Sequence, residues 1–250
     1  MPVFVRLSKS QNIMTEGKTH TDTAVIEAMF KAGAHFGYSR ARRHASVKAH
    51  LYGAKNGVDI INLEETVLML DAAKARMMEL GKLGKPVIFV GTKKEVRDTV
   101  EAVAKSLNLP YVAERWVGGI LTNWSEIKKR TARLKELSDK FAKGELEKYT
   151  KKERLLFERE LGTLQAEFGG IAGLEGAPAA LVVVDPREEH IAIAEARKTK
   201  LETIAILNSD CNKNEITYPI LANDSALQSV KYFLEALGQA YEAGAKTRGV

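Results

Sequence analysis

Uninterrupted apolar runs of strand length alternate with stretches of helical spacing through much of the chain. Residues 86–90 and 179–184 are continuously apolar, 111–113 is a shorter run, and 203–207 is apolar after Thr203. Residues 92–107 carry Val96, Val100, Val103 and Leu107 at helical spacing, and 186–200 and 225–243 also read as helices. Strands that are apolar throughout and alternate with helices are what a parallel sheet covered on both faces requires. The pattern therefore predicts an α/β three-layer domain with right-handed crossovers. Upstream, Asp22 or Thr23 can cap a helix bearing Val25, Ile26, Met29 and Phe30, with Gly33 as its stop. Residues 51–53 and 58–61 flank Asn56-Gly57, a turn pair. Asn62 can open a long helix with Leu63, Val67, Leu70, Ala73, Met77 and Leu80 on one face, ended by Gly81 and Gly84.

One stretch breaks the alternation. Trp124, Ile127, Thr131, Leu134, Leu137 and Phe141 step at threes and fours, and Leu146, Tyr149, Leu156, Leu161, Leu164 and Phe168 do likewise. Nearly everything between them is charged, so each helix can bury only a narrow seam. The economical solution is an inserted antiparallel helical hairpin over 124–168, a coiled coil that protrudes from the sheet domain with Gly144 at its tip.

Composition adds bounds. At 45% hydrophobic and 28% charged residues, the 250-residue chain is not wholly disordered. Lys plus Arg number 38 against 32 Asp plus Glu, a net charge of +6 that permits a polyanionic partner without demanding one. The single cysteine, Cys211, excludes an intrachain disulfide and a cysteine-based zinc cluster, and fits a reduced setting. No apolar run reaches the roughly 18 residues of a membrane span, so no membrane is expected. Residues 1–21 are polar and aperiodic and read as a flexible arm, leaving 22–250 as a single α/β domain.

Catalytic motifs are absent from the sequence. There is no G-x-G-x-x-G, no G-x-S-x-G, and Gly84-Lys85 precedes its strand instead of following it, so no nucleotide cofactor is expected. Cys211 has acidic and neutral neighbours that would not activate it, and reads as an incidental, partly exposed thiol. The histidines show no metal-binding spacing, and Arg187 argues against a cation at Asp185, Glu188 and Glu189. Gly91-Thr92-Lys93-Lys94 follows a strand and opens a helix. Its amides and lysines can hold a phosphate, or it is a capped helix with a solvated basic turn; the residues leave both open. Residues 38–55 contain Arg40, Arg42, Arg43, Lys48 and Lys55 and no acid, with Tyr38 and Tyr52 available for stacking, which suits a phosphate backbone. Residues 114–124 add Arg115 and Asn123 as donors beside two glycines, while Trp116 and Trp124 read as anchors of the insertion's base.

Taken in order, Ala32-Gly-Ala-His-Phe-Gly37, Gly57-Val-Asp-Ile-Ile-Asn-Leu63, Ile88-Phe-Val-Gly-Thr-Lys-Lys94, Glu114-Arg-Trp-Val-Gly-Gly-Ile-Leu-Thr-Asn-Trp124, Phe168-Gly-Gly-Ile171, Val184-Asp-Pro-Arg187, His190-Ile-Ala-Ile-Ala-Glu-Ala196 and Tyr218-Pro-Ile220 resemble the small-subunit ribosomal protein two family. The resemblance implies a flavodoxin-like fold with a protruding hairpin and a non-catalytic, rRNA-binding constituent of the small ribosomal subunit. It implies neighbouring small-subunit proteins as partners, including the large mRNA-binding protein one if the source is bacterial, and the bacterial or organellar type rather than the long-tailed cytosolic eukaryotic form. The expected location is a cytoplasmic ribosome, with an organellar one as the alternative. The sequence departs from the family pattern at Tyr38, at Arg43-His-Ala-Ser46 and at Asn208-Ser-Asp-Cys-Asn-Lys213.

Overall fold

The structure, a computed structural model, describes residues 23–249. The expected arm at 1–21 lies outside the described residues. Helix α1 covers residues 23–31 and ends at Gly33, whose φ of +76° suits glycine. A three-stranded antiparallel sheet follows, made of β1 (Phe36–Ser39), β2 (Leu51–Lys55) and β3 (Val58–Ile61) in the order β1-β3-β2. Asn56 and Gly57, both at positive φ, form the tight turn between β2 and β3. The acid-free stretch is thus not a plain loop. It includes the end of β1, 3-10 turns at Arg40–Arg42 and Ala45–His50, and β2.

The main sheet has five parallel strands: β4 (Val87–Val90), β5 (Tyr111–Val112), β6 (Ala180–Val184), β7 (Glu202–Leu207) and β8 (Tyr218–Leu221). Their order, β5-β4-β6-β7-β8, is 2-1-3-4-5 when the parallel strands are counted along the chain, the flavodoxin order. The apolar runs alternate between two cores. Val87, Phe89, Val182, Val184, Ile204, Ile206 and Ile220 face α2 (Leu63–Leu83), α3 (Arg97–Ser106) and α7 (Leu227–Lys246). Ile88, Val90, Leu181, Val183, Ala205, Leu207 and Leu221 face α6 (His190–Thr199) and the apolar seam of α4 (Trp124–Ala142) and α5 (Lys151–Phe168). Asn62 caps α2 by accepting from the Glu64 amide, and Gly84 closes it at φ +61°.

α4 and α5 follow one another through residues 143–150 and are tied by a bidentate ion pair, Arg133 to Glu160 at 2.9 and 3.1 Å. Ile127, Leu134, Leu137, Leu164 and Phe168 are buried and continuous with the second core. The expected seam of α5 holds at Leu161, Leu164 and Phe168 and fails only in its first turns. Leu156 is exposed, and Phe157 turns inward, its ring 5.3 Å from that of Tyr149.

Candidate nucleic-acid interface

The acid-free stretch is fixed across the loop that leaves β7. The Tyr38 amide donates to Ser209 Oγ, the His44 amide to the Ser209 carbonyl, and the Lys213 amide to Ser46 Oγ, at 2.8–3.0 Å. These bonds place the segment at the carboxyl end of the parallel sheet, where open α/β sheets carry their sites. Arg40, Arg42, Lys48 and Lys55 are exposed, and the Arg42 guanidinium lies 5.4 Å from the Tyr38 ring centre. Arg43 differs from its neighbours: it forms a bidentate pair with the fully buried Asp59 of β3. That hydrogen-bonded carboxylate raises the guanidinium pKa further. Arg43 is therefore committed to the fold.

The Gly91–Lys94 stretch is not a helix start. The helix begins at Arg97, with Val96 at its cap position. The Thr92 amide, expected to be free, donates to Glu189 Oε1 at 2.8 Å, and burial pushes the Glu189 carboxyl up. Lys93 turns inward and bridges Asp185 Oδ2 at 2.5 Å and Asp224 Oδ2 at 3.2 Å. Burial alone would lower the ammonium pKa, but Asp224 and Asp185 outweigh it and hold Lys93 well above the usual lysine range. The anion opposite Lys93 is thus the protein's own, and of the two lysines only Lys94 is exposed.

Asp185 sits at φ +59°, and its Oδ1 accepts the Arg187 amide at 3.0 Å. Asp185, Cys211 and Asp224 bring potential ligand atoms within 4.8 Å of one another, yet the Lys93 ammonium already sits between the two carboxylates, where a cation would have to go. Cys211 is buried, not partly exposed as its flanks suggested, and burial pushes its thiol far above the usual range. The crevice in which this strand order ordinarily seats a nucleotide is therefore filled by Lys93 and its partners.

Arg115 and Asn123 are both exposed, on the irregular segment between β5 and α4. Trp116 is buried in the second core, and Trp124 opens α4 and packs against it. Two contributors escaped the sequence reading. Lys213 packs beside the acid-free stretch, with its Nζ 2.5 Å from His50 Nε2. It stands 163 residues away in sequence, so no local signal marks it. The other is Glu195, buried on α6 among Ala192, Ile193 and Ala196. An acid inside an apolar stripe at helical spacing was its available signal.

Fold and site together define a doubly wound α/β domain whose carboxyl edge is closed by its own side chains and overlaid by a cation-rich segment. The family described as Ribosomal protein S2 matches residues 29–244, and the chain belongs to that family. The Small ribosomal subunit protein uS2 of Geotalea uraniireducens is 36% identical over 225 residues, covering 90% of this chain and 88% of the relative. Relatives of the same name from Nocardia farcinica and Mycobacterium tuberculosis are 38% and 39% identical over 223 residues, covering 89% of this chain and 78% of each relative. Among the described residues, no helix is long and apolar enough to cross a membrane.

Proposed function

We propose that the chain is a structural, non-catalytic constituent of the small ribosomal subunit that binds folded rRNA through its phosphates and supports neighbouring subunit proteins. The observation that carries this reading is the exposure of Arg40, Arg42, Lys48 and Lys55 on a stretch without an acid. Such a surface repels itself in isolation and is satisfied by a phosphate backbone. Lys94, Arg115, Asn123 and Lys213 extend it, while Arg43 and Lys93 act from within by holding the segment and the sheet edge in place. The α4–α5 pair projects as an antiparallel hairpin that meets protein neighbours. In a bacterial subunit these include the large mRNA-binding protein one.

The test is a quadruple change of Arg40, Arg42, Lys48 and Lys55 to Ala. Affinity for small-subunit rRNA should fall, and the slope of log K against log salt should flatten by about one unit for each phosphate contact removed. The fold should be retained, because none of the four is buried. An unchanged slope would remove this stretch from the interface. A parent protein that stays at the top of a sucrose gradient, away from small subunits, would sink the whole reading.

A further inference from the structure

We propose that Glu195 is the positioning residue of the 114–123 loop, fixing Arg115 and Asn123 in the arrangement with which they meet rRNA. The proposal rests on the rRNA-binding reading above and assigns the inner support of that surface. Residues 113–123 have no strand or α-helix to satisfy their backbone. Glu195 takes over that task from α6, underneath. Its Oε1 accepts from the Gly119 amide at 2.6 Å and from Trp116 Nε1 at 3.4 Å. Its Oε2 accepts from the Leu121 and Thr122 amides at 3.0 and 3.2 Å and from Thr122 Oγ1 at 3.3 Å.

Every one of these partners is a donor, and all come from seven consecutive residues. Only an acceptor-only group with two oxygens suits such a ring, which is an ionised carboxylate. Glutamine would turn an NH2 toward amide N–H groups on one side or the other. Gly119 at φ +104° completes the wrap, a conformation costly for a side-chain-bearing residue. Five neutral donors compensate the buried charge, three of them backbone amides of the loop. Its outward side, with Arg115 and Asn123 exposed, is left to a partner.

The test is a cycle on the full chain. Arg115→Ala/Asn123→Ala should weaken binding to small-subunit rRNA. Glu195→Gln should weaken it by roughly tenfold, the scale of a charge-assisted contact. All three changes together should lose no more than the larger of the two. Binding is measured well below every variant's melting transition. Additive losses overturn the positioning role while leaving Arg115 and Asn123 as contacts. An Arg115→Ala/Asn123→Ala variant that binds like the parent overturns the contact reading and this proposal with it. Should Glu195→Gln fail to fold, hydrogen exchange on the parent decides. The Gly119, Leu121 and Thr122 amides should exchange slowly despite lying in an irregular segment, and fast exchange overturns the proposal.

Discussion

Arg40, Arg42 and Arg43 are nearly adjacent in sequence but differ in what their removal does. Arg43→Ala strands the Asp59 carboxylate in the interior, which costs about 1–3 kcal/mol. Arg40→Ala and Arg42→Ala should stay within about 0.5 kcal/mol of the parent. Urea titration of the three single variants separates them, and equal midpoints would show that the Arg43 pair is worth nothing. Lys93→Met should be more damaging, by about 3–5 kcal/mol at neutral pH, because it leaves buried carboxylates without their cation. The loss has a definite pH dependence. Burial, with Asp185 beside it, already raises the Asp224 carboxyl, and Lys93 pulls it back. Without Lys93 the folded state holds a proton that the unfolded chain has released, so stability declines as pH rises through that range. The deficit of Lys93→Met should therefore shrink between pH 8 and pH 5; a deficit that grows on acidification would contradict the pairing. Neither pair was legible in the sequence. Composition marks a run of cations, but Asp59 lies 16 residues from Arg43, and Asp224 lies 131 from Lys93. Only the fold reveals which charges are already matched.

Helices α2 and α7 touch backbone to backbone. A Cβ on Gly81 would lie 2.1 Å from the Tyr241 carbonyl oxygen, and one on Gly244 would lie 2.0 Å from that of Met78. Gly244→Ala gains up to about 1 kcal/mol in helix propensity. Forcing the helices apart costs about 1–3 kcal/mol, and the steric cost should win. Gly162 on α5 has nothing within 4 Å of an added Cβ, so Gly162→Ala should stabilise. Thermal melts of the two variants should move in opposite directions, and a higher midpoint for Gly244→Ala would refute the contact. The long elements were legible, because β4, β6 and β7 are apolar on both faces and α2 has a capping Asn62 and a closing Gly84. The misread elements are those where tertiary bonds override local preference. Lys93 is drawn inward and Thr92 is held by Glu189, so α3 starts five residues later than its apolar spacing suggested. β8 carries Pro219, a poor strand signal that is tolerated at a sheet edge. β1 is only four residues long, with both ends exposed.

The two cores share the same strands: Phe89 belongs to one and Ile88 to the other. Neither core can dissolve while the other keeps the sheet intact, so the described domain should unfold in one transition. The tryptophans make this measurable. Both Trp116 and Trp124 lie with the second core. Leu237→Ala is confined to the first core and should cost about 2–5 kcal/mol. The tryptophan-detected transition should shift by the same amount as circular dichroism, although no tryptophan touches the change. Separate transitions would mean that the cores unfold independently. The contact between α2 and α7 also has a consequence in time. The chain is made from its amino end, so α2 and β4 emerge long before the helix that covers them. The first core needs Val230, Phe233, Leu234 and Leu237 of α7, so α2 and α3 leave this face of the sheet only partly covered until residues 227–246 have left the machinery that makes them. During synthesis the apolar surface that α7 will cover is exposed to wrong partners.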